Sequence, residues 1–139
     1  MDLIERLSEG NKQYIERSDQ AVREDTAVNG QHPYAIVICC ADSRVIPEQI
    51  FNVGIGELFV IRVAGNVLDK HQLGSVEYAA AHLHCKLVVI LGHTGCGAVD
   101  AAVNGHGDGL FLISRRISLR PWGKNGICCR PVKRMYGTA

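Results

Sequence analysis

Three short runs of this chain are apolar almost without interruption: Ala35-Ile36-Val37-Ile38-Cys39, Leu58-Phe59-Val60-Ile61-Arg62-Val63 and Lys86-Leu87-Val88-Val89-Ile90-Leu91. A strand with one wet face alternates apolar and polar side chains. These runs do not alternate, so they predict strands buried on both faces. The segments between them have helical character. Val45 to Phe51 predicts a short helix with Pro47 in its first turn, where a missing N–H is tolerated. Residues 71–84 predict a helix rich in alanine, and Cys96 to Val103 opens another. Strand and helix in alternation imply a parallel sheet joined by right-handed crossovers. Ahead of the first strand, Leu3, Leu7, Tyr14 and Ile15 fall near helical spacing, which predicts an amphipathic helical arm over 2–17. Residues 18–34 are polar, end in His32-Pro33 and predict a loop. The fold class is therefore α/β: a parallel sheet flanked by helices, with an N-terminal helical arm.

At 139 residues the chain has the length of one domain. No apolar run approaches the ~20 residues that span a bilayer, so no membrane partner is expected. The start, Met1-Asp2-Leu3-Ile4-Glu5-Arg6, mixes charges and lacks the basic-then-apolar order of a signal peptide. These features place the chain in the cytoplasm. There, six cysteines are thiols or ligands rather than disulfides.

The net charge of +1 hides a break. Residues 1–108 hold all fourteen acids and eight Lys and Arg, a net of −6, whereas 109–139 hold the other seven basic residues and no acid. The hydrophobic pattern changes at the same place. The tail carries Arg115-Arg116, Pro121-Trp122-Gly123 and Cys128-Cys129-Arg130-Pro131, with no long amphipathic run. The expected organisation is a main domain over 1–110 and a diverged basic tail over 111–139. The tail could serve an anion-binding module. It matches no nucleic-acid fold motif and offers one Trp and one Tyr for stacking, so a nucleic-acid partner is not expected.

Two motifs carry the chemistry. Cys40, Asp42 and Arg44 lie in C-A-D-S-R, directly after the first apolar run, and His93 and Cys96 lie in H-T-G-C-G, directly after the third. In open parallel sheets, sites form beyond the carboxyl ends of strands, where the strand order reverses. That topology can bring Cys40 and His93 together across 53 positions of sequence. Two thiolates and an imidazole are a usual zinc set. Alone, each cysteine would pass as a small buried hydrophobe and His93 as a turn residue. Three such residues at two strand ends, with Gly92, Gly95 and Gly97 around them, predict a metal site. Cys96 at a helix start is expected to have a lowered thiol pKa. Asp42 could ligate the metal or accept a hydrogen bond from its water, and Arg44 could hold that carboxylate instead. Cys39 is expected to face away from Cys40 into packing. Cys85 is expected to be buried, His71 to start a helix, His82 and His84 to flank a helix end, and His106 to lie in a loop.

C-A-D-S-R followed by H-T-G-C-G resembles the β-class carbonic anhydrases. The likeness continues through G-E-L-F-V-I-R-V-A-G-N (56–66) and G-S-V-E-Y-A (74–79), over roughly residues 1–110. The resemblance implies a Rossmann-like α/β fold, one Zn2+ per subunit and reversible hydration of carbon dioxide to bicarbonate and a proton by a zinc-bound hydroxide. It places Cys40, His93 and Cys96 on the protein ligands. Asp42 and Arg44 fall on a catalytic dyad whose aspartate is a fourth ligand in closed sites and turns to arginine in open ones. It also implies a homodimer or higher homo-oligomer in which the N-terminal helix embraces a neighbour. Relatives with such a site also hydrolyse CS2 or COS, and a zinc-binding remnant with little turnover is the non-enzymatic alternative. The likeness ends near Gly109, where the family continues with more helix and at least one further strand. A chain without that strand would leave a sheet edge open.

Overall fold

The computed structural model describes residues 2–105 and the backbone of a strand at 127–131. The chain divides into two compact units, Met1–Gln31 and His32–Ala139. This division falls elsewhere than the compositional break near residue 110. His106 and the tail outside 127–131 lie beyond the described residues.

The first unit holds two helices. Helix α1 spans Leu3–Arg17. Asp2 caps its start, accepting from the N–H groups of Ile4 and Glu5, while the Asp2 N–H donates back to Glu5 at 2.9 Å. The segment read as a loop is instead partly helical, with α2 spanning Gln20–Asn29. Asp19 caps it through the Val22 N–H, and Gly30 leaves it at a φ of 83°. Neither helix buries a residue, but α1 carries Leu3, Leu7, Tyr14 and Ile15 near helical spacing, whereas polar and charged residues dominate α2 and leave no such stripe. Arg23 ties the two helices. Its Nη2 donates to the Ile15 carbonyl at 3.1 Å and its guanidinium stands over the Tyr14 ring.

The second unit is the α/β core. In order it comprises β1 (Ala35–Cys39), α3 (Pro47–Ile50), β2 (Leu58–Arg62), a 3-10 turn (Ala64–Asn66), α4 (Lys70–Ala81), β3 (Leu87–Leu91), α5 (Gly97–Asn104) and β4 (Ile127–Pro131). Pro47 opens α3, and Asp69 with Gln72 forms a capping box on α4. The strand order is β2-β1-β3-β4. The first three strands are parallel, with Ala35 opposite both Leu58 and Leu87. β4 pairs antiparallel to β3, with Cys129 opposite Val89. The edge of β3 is therefore not left open: residues 127–131 of the tail supply a strand along it. I-C-C-R-P ends in a proline and carries an arginine, features tolerated in an edge strand but not in the buried runs that announce β1 and β3.

β1 lies between two partners and is buried at every position. Its side chains alternate between two cores. Ile36 and Ile38 pack with Ile61, Ala79 and Cys85, backed by Val76, Ala80 and Leu83 from the α4 region. Val37 and Cys39 pack on the other face with Val45, Val89 and Leu91. Cys39 therefore faces packing, as expected, and Cys85 is buried with its thiol on the Pro33 carbonyl at 2.9 Å. Each fully buried aliphatic side chain here contributes roughly 1.5–3 kcal/mol. β2 and β3 are only partly buried, and β2 ends on the exposed Arg62. No described helix is long and apolar enough to cross a membrane.

Candidate metal centre

β1 is the strand at which the order reverses, because β2 lies on one side of it and β3 on the other. In open sheets ligands bind at such a point, beyond the carboxyl ends of the flanking strands, here β1 and β3. Cys40 leaves the first, and His93 and Cys96 leave the second. One ligand atom from each of the three lies within 4.8 Å of the others. The two sulfurs are 3.8 Å apart. That is far too long for a disulfide, at ~2.05 Å. It matches the ~3.8 Å edge of a tetrahedron whose centre lies ~2.3 Å from each sulfur, the Zn–S length.

His93 is oriented for the same point. Its Nδ1 lies 3.1 Å from the Thr94 carbonyl, which can only accept, so Nδ1 carries the proton. Nε2 is left with its lone pair, and it is buried with no hydrogen-bond partner. An orphaned acceptor beside two sulfurs is a poor arrangement for a protein on its own and a good one for a soft divalent metal. The residues present therefore fit zinc. Gly95 makes the turn between the two ligands possible, at a φ of 63°. Gly97 plays no such steric part, since a Cβ there would meet nothing within 4 Å.

The thiols titrate as a pair. Burial opposes ionisation of Cys40, but it is outweighed by hydrogen bonds to the sulfur, led by the Gly65 N–H at 3.3 Å, which bring Cys40 down to about 7. Burial pushes Cys96 up, and the neighbouring Cys40 adds to this against the pull of the Val99 and Ala98 N–H groups. The expected lowering thus appears on Cys40 rather than on Cys96. The α5 N-terminus acts on Cys96 as foreseen, but burial and the second sulfur prevail.

Asp42 stands beside this cluster and outside it. Its Oδ2 lies 3.9 Å from His93 Nε2. Arg44 engages the carboxylate with both arms of its guanidinium, Nε to Oδ1 at 3.0 Å and Nη2 to Oδ2 at 2.8 Å, and its backbone N–H adds a third bond at 2.9 Å. The Arg44 side chain holds Asp42 well below the usual carboxylate range. The same Nη2 donates to the Gly95 carbonyl at 3.2 Å, so Arg44 bridges the two motifs.

Three residues that sequence reasoning did not single out also border the site. Arg62 donates to the carbonyls of Cys40 and Asp42. Gly65, at a φ of 69°, brings its N–H to the Cys40 sulfur. Asn66 donates from Nδ2 to the Leu91 carbonyl at 2.8 Å. The available signal was R-V-A-G-N itself: an arginine closing an apolar strand, followed by two residues suited to a left-handed turn.

Residues 35–118 match the protein family described as carbonic anhydrase. Carbonic anhydrase 2 of Mycobacterium tuberculosis is 44% identical over 108 residues, covering 74% of this chain and 52% of the relative. The chain thus spans about half the length of the curated relatives it matches. Among solved structures, the β-carbonic anhydrase CafA of the fungal pathogen Aspergillus fumigatus superposes with a TM-score of 0.74 at 33% identity, over 83% of this chain and 58% of that one. The Coccomyxa β-carbonic anhydrase in complex with acetazolamide gives 0.70 at 30% identity, over 84% and 55%. Family match, relatives and solved structures agree: the chain belongs to the β-carbonic anhydrase family.

Proposed function

We propose that this chain binds one zinc ion through Cys40, His93 and Cys96 and catalyses the reversible hydration of carbon dioxide to bicarbonate and a proton. The observation that carries this reading is the convergence of two sulfurs and an orphaned Nε2 on a point a tetrahedral metal would occupy. Zinc bound there would supply a water acidic enough to lose its proton near neutral pH.

The rest of the chemistry falls to the chain's own groups. Asp42, kept ionised by Arg44, is an acceptor that would take a hydrogen bond from a water beside the three ligands and so orient it toward CO2. Held by Arg44, the Asp42 carboxylate would not serve as a ligand to a zinc bound by Cys40, His93 and Cys96, which would leave that zinc able to take a water. Asp42 is in this reading a gate rather than a standing fourth ligand. The Thr94 carbonyl fixes the His93 tautomer, as outer partners of metal-bound imidazoles do. The Val37, Val45, Val89 and Leu91 core supplies rigid backing beneath the strand ends.

We place the active form in a homo-oligomer, since Leu3, Ile4 and Leu7 of α1 are exposed by three quarters or more. The compartment proposed is the cytoplasm, where Cys39, Cys40, Cys85 and Cys96 would remain thiols or ligands. The test is zinc stoichiometry together with stopped-flow CO2 hydration on the purified chain, with acetazolamide as inhibitor. One zinc per chain and acetazolamide-sensitive hydration are expected. Zinc without any hydration above buffer would reduce the chain to a metal-binding remnant.

A further inference from the structure

Arg62 closes β2 and stands opposite Cys39 in the strand register. The backbone ladder between β1 and β2 runs out at this point. The Val63 N–H donates to the Cys39 carbonyl at 3.1 Å, and the Ala41 N–H to the Val63 carbonyl at 3.3 Å. The carbonyls of Cys40 and Asp42 lie off that ladder. The Arg62 side chain donates to both, Nε to Cys40 O at 3.3 Å and Nη2 to Asp42 O at 2.7 Å, the latter carbonyl also accepting from the Val45 N–H at 3.0 Å. A planar fork spans the two carbonyls as one rigid group, which a lysine ammonium cannot do. One of these residues carries a sulfur of the metal cluster. The other carries the carboxylate beside it. Arginine has only donors here and is no ligand itself. Two further contacts from the same loop converge on the site: the Gly65 N–H on Cys40 Sγ, and Asn66 on the carbonyl of Leu91, two residues before His93.

We propose that Arg62 is a positioning residue for the metal centre. It fixes the backbone from Cys40 to Asp42 so that sulfur and carboxylate stand in place before the metal arrives. It thereby sets how tightly zinc is retained. This rests on the zinc reading of the site given above.

The experiment uses the full chain and measures zinc affinity by competition with a chromophoric chelator, alongside the melting temperature of the metal-free protein. Arg62→Met keeps the aliphatic stem and removes both donors. Zinc affinity should fall about 10- to 100-fold, the usual effect of losing an outer-shell partner, with the metal-free melting temperature close to wild type. Arg62→Lys, able to serve one carbonyl at a time, should fall between the two. Wild-type affinity in a folded Arg62→Met variant overturns the inference. If that variant does not fold, Arg62→Lys decides by the same measure: intermediate affinity supports the inference and wild-type affinity overturns it. A fall in metal-free stability large enough to account for the affinity loss in both variants assigns Arg62 to general folding and also overturns it. Absence of zinc from the wild-type chain would sink the site reading and this inference with it. Zinc on the wild type with unchanged affinity in the variants sinks this inference alone.

Discussion

The sulfurs of Cys40 and Cys96 lie 3.8 Å apart although 56 positions separate them in sequence. Only the pairing of β1 with β3 brings their strand ends side by side. Two sulfurs held so close, one on a buried and one on a half-buried cysteine, repel as thiolates, and a divalent cation removes that conflict. Cys40→Ser and Cys96→Ser should each reduce bound zinc from one per chain to a small fraction, measured by elemental analysis after dialysis. X-ray absorption on the wild type should report two sulfur neighbours near ~2.3 Å and one nitrogen near ~2.0 Å. Full zinc in both serine variants would exclude the assignment.

The bidentate bond between Asp42 and Arg44 gives a second prediction. In Arg44→Ala the carboxylate loses both side-chain donors and is free to move toward the metal. CO2 hydration should fall by at least about tenfold while zinc content stays near one per chain. Asp42→Asn should also slow turnover, since an amide can present an N–H where the reaction needs an acceptor. Stopped-flow rates with parallel metal analysis test both. Full activity in Arg44→Ala at neutral pH would remove the gate.

Gly65 is held at a φ of 69°, and a Cβ there would meet the Ala98 Cβ at 3.4 Å. A side chain in the left-handed region costs about 1–2 kcal/mol. Gly65→Ala should therefore lower the melting temperature by several degrees. It should also weaken the N–H contact on the Cys40 sulfur, so zinc ought to be lost more readily. Calorimetry and chelator competition would show both effects, and an unperturbed variant would mean that this turn can relax without cost.

What could be read from sequence follows from where each signal lies. β1, β2 and β3 were legible as continuous apolar runs, although only β1 is buried at every position, and the ligands because they sit directly after two of them. α2 was not, because its only apolar residues are two alanines and two valines among polar and charged ones, although Asp19 and Gly30 mark its ends. Arg62 and Asn66 work by donating to backbone carbonyls, and a carbonyl has no letter in the sequence. The thiol order was misjudged because the helix terminus at Cys96 is visible in sequence, whereas the Gly65 N–H on Cys40 is not.

The last prediction concerns β4. Ile127–Pro131 pairs along the whole of β3, from Leu91 to Leu87. β3 carries His93 and Cys96 just past its carboxyl end, while its other side is secured by β1. Removing residues 114–139 should therefore leave the β1–β3 pairing, and with it most zinc binding, in place. It should also expose the row of backbone donors and acceptors along β3, a template for pairing with another chain. The expected result is a truncated protein that still takes up zinc but melts lower and self-associates on sizing columns. If zinc is lost as well, β4 is required to hold the carboxyl end of β3 in place. If the truncated chain stays as stable and as dispersed as the parent, the antiparallel strand adds nothing to the sheet, and the tail is the dispensable appendage that its composition predicts.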